Sequence, residues 1–245
     1  MQKDTRRRRD ICRFRKGEQD MEISIFDVIG PVMIGPSSSH TAGAARLART
    51  ARTIVAEPFH RVRFGLCGSF EKTYRGHGTD RALLAGALGL GTHDERLADA
   101  LTLAKRAGLE WEFVPDEVEG AHENTVRMTF YTDSGAEREI IGSSLGGGRI
   151  LITRVDGFEM SFDATAVTLL VQQYDRPGVI RDITRVLAEN RINIAVMRLA
   201  RRARGDLACT VIEADSAVDE AVVREIAGLD NIIHAQVIDC REEEM

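Results

Sequence analysis

The first regular apolar pattern opens at Glu22 and runs to Ile29, where Ile23, Ile25 and Val28 are set among Glu22, Ser24 and Asp27. Thr41 to Ala56 is rich in alanine and arginine and has neither glycine nor proline after Gly43, which predicts a helix. Val62, Phe64 and Leu66 alternate with Arg61, Arg63 and Gly65, the two-residue period of a strand, which Gly68-Ser69 ends. Thr79 to Leu90 predicts a second helix. Thr92-His93-Asp94-Glu95 has the form of a capping box opening a third, closed by Gly108. Strands are predicted over Leu109–Val114, Thr125–Thr132, Glu137–Ser143 and Arg149–Val155, the middle two joined at Asp133-Ser134-Gly135.

From Ala164 onward the pattern becomes strand, helix, strand, strand, helix, strand. Val167–Gln173 reads as a strand, and Val179, Ile180, Ile183, Val186 and Leu187 share one face of a helix. Ile192–Ala200 and Leu207–Ala214 read as a hairpin across Arg202–Asp206, followed by a helix over Val218–Leu229 and a strand over Ile232–Ile238. That order predicts a ferredoxin-like sheet with two helices on one face and the other face free for a partner. The fold class is therefore α+β: a mixed α/β domain over residues 22–161, then a βαββαβ domain over 164–240. Residues 1–20, with a basic run at Arg6–Arg9 and no apolar core, read as a disordered tail or an over-long start and not as a signal peptide.

Composition narrows the function classes. A net charge of -5 argues against a general nucleic-acid binder. No apolar run approaches the ~20 residues needed to cross a bilayer, so no membrane contact is expected. Cys12, Cys67, Cys209 and Cys240 form no CxxC pair or metal-site spacing, which reads as reduced thiols in a cytoplasmic protein, with no metal site of its own.

Two strings carry chemistry. Gly35-Pro36-Ser37-Ser38-Ser39-His40-Thr41-Ala42-Gly43 stands ahead of the alanine-rich helix, where a turn, hydroxyls and unpaired helix amides suit a carboxylate or phosphate. His40 adds a group that titrates near neutral pH. Gly68 to Asp80, GSFEKTYRGHGTD, reads as a loop in which glycines clear space around His77, and Thr79 or Asp80 caps the next helix. His60, His93, His122 and His234 lack such a setting and read as surface residues. The Ser143–Gly148 cluster either cradles a ligand or bends a strand.

Together with Phe26-Asp27-Val28-Ile29-Gly30 and the LGGG string at 145–148, these two strings resemble the beta chain of iron–sulfur-dependent L-serine dehydratase, from Glu22 to Val237, with an ACT-like domain at the end. Arg75 stands where that family often has lysine. The resemblance implies α,β-elimination of L-serine to pyruvate and ammonia. It also implies a 4Fe-4S cluster with one open iron that coordinates serine, held by three cysteines of a partner alpha chain. It points to His77 as the base, with His40 as second candidate or relay. Ser37, Ser38, Ser39 and Thr41 would orient the substrate, with Lys72 and Thr79 in support. In the ACT-like domain, Asp175, Pro177 and Gly178 with Asn193 would form an amino-acid effector site, or the domain serves only as a homodimer contact. The chain alone is expected to be inactive.

Two other readings compete. A pyridoxal-phosphate lyase would use Lys72 as the Schiff base and Gly146–Gly148 as a phosphate cup, but the ~140 residues of the first domain are few for that cofactor. Alternatively, the chain is a non-catalytic amino-acid sensor in which His40 and His77 line an allosteric serine pocket.

Overall fold

The computed structural model describes residues 37–240. The expectations for residues 1–20, for the pattern at 22–29 and for Gly35 and Pro36 lie outside the described residues. Helix α1 (Ala42–Val55) buries Ala44, Ala45, Leu47, Ala48, Ala51 and Ile54, an apolar stripe at helical spacing. It ends where Ala56 turns left-handed at φ 57°. Strand β1 (Phe59–Leu66) follows, then α2 (Gly68–His77), α3 (Thr79–Ala87), a 3-10 turn (Glu95–Asp99) and α4 (Ala100–Arg106). Strands β2 (Glu110–Pro115), β3 (Thr125–Thr132), β4 (Glu137–Gly146), β5 (Arg149–Val155) and β6 (Phe158–Phe162) complete the first domain.

Its sheet runs β2-β1-β3-β4-β5-β6. The β1–β2 pair is parallel, because α2, α3 and α4 carry the chain back between them. The other pairs are antiparallel. Helices α1 and α3 pack closely through Gly86, where an added Cβ would stand 2.2 Å from the Ala45 carbonyl oxygen.

The second domain has the expected order: β7 (Val167–Tyr174), α5 (Val179–Glu189), β8 (Ile194–Arg201), β9 (Leu207–Ala214), α6 (Glu220–Ala227) and β10 (Ile232–Ile238). Its sheet runs β10-β7-β9-β8, the ferredoxin-like arrangement. Leu169, Val171 and Ile212 form a core with α5 and α6. The opposite face is not wholly free, contrary to the pattern-based expectation. Leu170, Cys209, Val211 and Ile238 join the core of the first domain. Polar ties add to this junction. Gln236 Nε2 donates to the Ile54 carbonyl at 2.7 Å, and Arg202 donates to the Asp156 carbonyl at 3.0 Å.

Three local expectations are corrected. Gly68 to His77 is a helix and not a loop; Phe70 is fully buried, and Gly78, at φ 74°, ends the helix in the left-handed region that glycine favours. Neither Thr79 nor Asp80 caps α3, since Gly78 holds the cap position and the Asp80 carboxylate accepts from the Arg81 amide. The 92–95 string does not open an α-helix: Asp94 caps the short 3-10 turn through the Arg96 amide, and α4 begins at Ala100. Strand β6 was not expected, although Phe158, Met160 and Phe162 are buried between exposed Glu159 and Ser161.

Candidate active site

Folding 68–77 into a helix changes what its residues share. Ser69, Thr73 and His77 are spaced by four and fall on one face, which looks onto the 37–41 loop. His40 is 5% exposed and sits at the centre. Its Nδ1 lies 3.1 Å from Ser37 Oγ and 3.2 Å from Ser39 Oγ. Its Nε2 lies 3.0 Å from Thr73 Oγ1 and 3.3 Å from Ser69 Oγ. Phe70 and His77 both meet its ring edge-on, at centroid distances of 5.2 and 4.7 Å.

The network assigns the tautomer. Thr73 Oγ1 donates its only proton to the Ser69 carbonyl at 2.7 Å, so towards His40 it accepts. Nε2 of His40 therefore carries the hydrogen, and Nδ1 accepts from a serine hydroxyl. Burial first, and the neighbouring His77 second, push the His40 pKa below 6.5, against an opposing hydrogen bond to the Ser69 backbone. His40 is thus neutral at neutral pH, with both ring nitrogens engaged.

His77 differs. Its side chain is half-buried, and its Nδ1 is buried with no hydrogen-bond partner among the described residues. A buried, unpaired ring nitrogen is costly, which marks it as a group awaiting a partner.

The remaining candidates separate into two groups. The 37–41 hydroxyls do not face one external point: those of Ser37, Ser39 and Thr41 bond within the loop and that of Ser38 bonds to the β4–β5 turn. Ser37 Oγ meets Ser39 Oγ at 3.0 Å, Thr41 Oγ1 donates to the Ser37 carbonyl, and Ser38 Oγ accepts from the Gly147 amide at 3.2 Å. The amides of His40 and Thr41 bond to the Ser37 carbonyl, and that of Gly43 to the Ser38 carbonyl, so the helix start is largely satisfied from within. Lys72 is exposed, while Thr79 is fully buried and its hydroxyl has no partner among the described residues. Ser69 and Thr73, absent from the sequence reading, were findable from their four-residue spacing to His77 once a helix is assumed. His60, His93, His122 and His234 are all exposed.

A cleft of about 630 Å³ lies elsewhere, between the domains beside Ser143, Met160 and Leu199. Neither histidine of the pair lines it.

The effector candidates are not gathered within one chain. Asp175 accepts from the Gly205 amide and from Arg201, at the hairpin end of the second sheet. Gly178, at φ 94°, starts α5 one residue after Pro177. Asn193 bonds Asp215 at the other end, an eight-residue strand away, roughly 26 Å at ~3.3 Å per residue.

For metals the donor set is poor. Cys67, Cys209 and Cys240 are buried and unbonded. Burial raises the Cys67 thiol pKa and pushes that of Cys209 up to about 12, away from the thiolate that binds metal. No three His, Cys, Asp or Glu side chains among the described residues are grouped to hold a metal ion. The described residues therefore do not fit an iron–sulfur cluster. Also among the described residues, no helix is long and apolar enough to cross a membrane.

The family model described as serine dehydratase beta chain matches residues 24–107, which contain both histidine strings, and the ACT domain model matches residues 167–231. The chain is 42% identical over 215 residues to a Bacillus subtilis protein described as "Probable L-serine dehydratase, beta chain", covering 88% of this chain and 97% of that one. It is 35% identical to the L-serine dehydratase beta chain of Peptoniphilus asaccharolyticus, covering 89% and 99%. Over 88 residues it is 31% identical to the D-3-phosphoglycerate dehydrogenase of Bacillus subtilis, covering 36% of this chain and 17% of that one.

Proposed function

The chain belongs to the L-serine dehydratase beta-chain family, and from that premise we propose that it closes an active site shared with an alpha chain and supplies the base that takes the Cα proton of L-serine. The elimination gives pyruvate and ammonia. The observation that carries this reading is the contrast inside the histidine pair. A base needs a free lone pair near its substrate. Both nitrogens of buried His40 are occupied, whereas the half-buried ring of His77 has an Nδ1 with no partner among the described residues.

In this reading His77 accepts the proton, and His40 positions it by holding a neutral ring edge-on at 4.7 Å. Ser37, Ser39, Ser69 and Thr73 keep His40 in that orientation and tautomer. Ser38 ties the loop to Gly147, and Thr41 closes its turn. Exposed Lys72 is available to the serine carboxylate, and Thr79 packs behind the helix junction. We place the 4Fe-4S cluster on the alpha chain, because the described residues here do not fit it, and the isolated beta chain is inactive. The setting is cytoplasmic. In the second domain, a site using both the Asp175-Arg176-Pro177-Gly178 loop and Asn193 would draw them from two copies. The homodimer contact falls along edge strand β8, where Met197 and Leu199 are exposed.

The test is anaerobic serine deamination by this chain mixed with its iron–sulfur partner, comparing wild type with His77→Asn. A loss of about 100-fold or more in kcat with the complex intact supports the base assignment. Unchanged turnover with an altered dependence on serine concentration would instead make the domain a serine sensor and leave catalysis to the alpha chain.

A further inference from the structure

A glycine inside a helix needs a reason, because alanine is the better helix former. The other glycines inside the described helices have one of two reasons. Gly68, the first residue of α2, adopts a left-handed φ of 55°. The others have a neighbour where a Cβ would stand: Gly43 has Ser144 Oγ at 1.9 Å and Gly86 has the Ala45 carbonyl at 2.2 Å. Gly76 has neither: its φ is ordinary, and a Cβ there would meet nothing within 4 Å. Nothing within the described chain accounts for it.

Gly76 lies on the exposed side of the last turn of α2. Lys72 and Arg75, four and one residues earlier, are exposed beside it, so this turn presents two cations around a bare stretch of backbone. The next residue, His77, holds the buried nitrogen that has no partner among the described residues. A surface with missing side-chain bulk, positive charge and an unmet hydrogen-bonding group is one that another molecule completes.

We propose that the Arg75–Gly76 turn is a docking surface for the alpha chain, in which an acidic segment of that chain pairs with Arg75 and its backbone crosses Gly76 in van der Waals contact, leaving Lys72 to the serine carboxylate. The alpha chain is the occupant because the surface borders the histidine pair, so the chain that completes the site also covers the turn. This inference rests on the shared-site reading for the identity of its partner. It goes beyond that reading in assigning Gly76 and Arg75 to chain recognition.

The experiment measures three quantities on Gly76→Ala and Gly76→Leu beta chains: the melting temperature of the isolated chain, the Kd for the holo alpha chain, and kcat. Alanine is expected to hold or raise the melting temperature while the Kd rises. The leucine variant, with more bulk to expel, raises the Kd by about tenfold or more. Arg75→Glu raises it further and flattens its dependence on salt. An unchanged Kd in both glycine variants overturns the proposal. So does a change confined to self-association of the isolated chain, which would make a second copy the occupant. A loss of kcat at unchanged Kd also overturns it, because the glycine would then make room for substrate. A weakened Kd in Gly76→Leu alongside full activity in His77→Asn would leave the docking surface standing while the base assignment fell.

Discussion

His40 and His77 touch ring to ring, yet one is saturated and the other is not. The 37–41 loop and the buried face of α2 provide His40 with four hydroxyl contacts, two to each nitrogen. The same helix, one turn on, leaves His77 Nδ1 without a partner among the described residues and Gly76 without a neighbour. A saturated polar cluster fixes a geometry; an unsaturated one beside it is where something else binds. In the proposed reading this difference separates proton transfer, expected from the sequence first of His77, from positioning by His40.

The sharpest way to break this comparison is to replace each histidine in turn. His77→Asn should cost about 100-fold or more in turnover of the reconstituted enzyme while leaving the melting temperature of the isolated chain nearly unchanged, since its Nδ1 makes no hydrogen bond among the described residues. His40→Ala should instead destabilise the chain by about 2 kcal/mol in denaturant titration, because it strands the Ser37, Ser39 and Thr73 hydroxyls around an empty space. If both variants behave alike in both measurements, the division of labour is wrong.

A second, smaller effect comes from pH. The folded-state pKa of His40 is held below 6.5, chiefly by burial. As pH falls through 6.5 the unfolded chain takes a proton that the folded chain refuses, so stability is full above 6.5 and declines toward the folded-state value, where the loss levels off. Denaturant midpoints measured from pH 7.5 down to 5 should fall in wild type and fall less in His40→Gln. Equal slopes in the two proteins would show that the burial of His40 is not what the pH dependence reports.

What could be read from the sequence follows the same line between local and non-local causes. The second domain's element order was legible, because β7 and β9 are mostly apolar runs between turns and α5 carries an unbroken apolar stripe. The one error there, a free sheet face, arose because Leu170 and Val211 look like ordinary strand residues until the first domain is placed against them. In the first domain, three glycines in eleven residues, Gly68, Gly76 and Gly78, disguised α2 as a loop. Only Gly78 marks a real break, and burial of Phe70 outweighs the weak helix propensity of the rest. Misreading that helix hid the Ser69–Thr73–His77 face, and with it the reason His40 is saturated. Strand β6 was a plain omission, since Phe158, Met160 and Phe162 carried the signal.

Thr79 supplies the smallest effect and a check on the boundary of the site. Its side chain is fully buried at the α2–α3 junction, and its hydroxyl has no partner among the described residues. A buried hydroxyl with nothing to bond is a net loss relative to a methyl group of the same shape. Thr79→Val should therefore keep the packing and raise the stability of the isolated chain by about 1 kcal/mol, with turnover of the reconstituted enzyme within twofold of wild type. If the hydroxyl instead reaches substrate or the unpaired nitrogen of His77 when the alpha chain is bound, the valine variant will still melt higher alone but will lose turnover. That outcome would move Thr79 from the packing behind the site into the site itself, and would extend the unsaturated region from one end of α2 across the junction into α3.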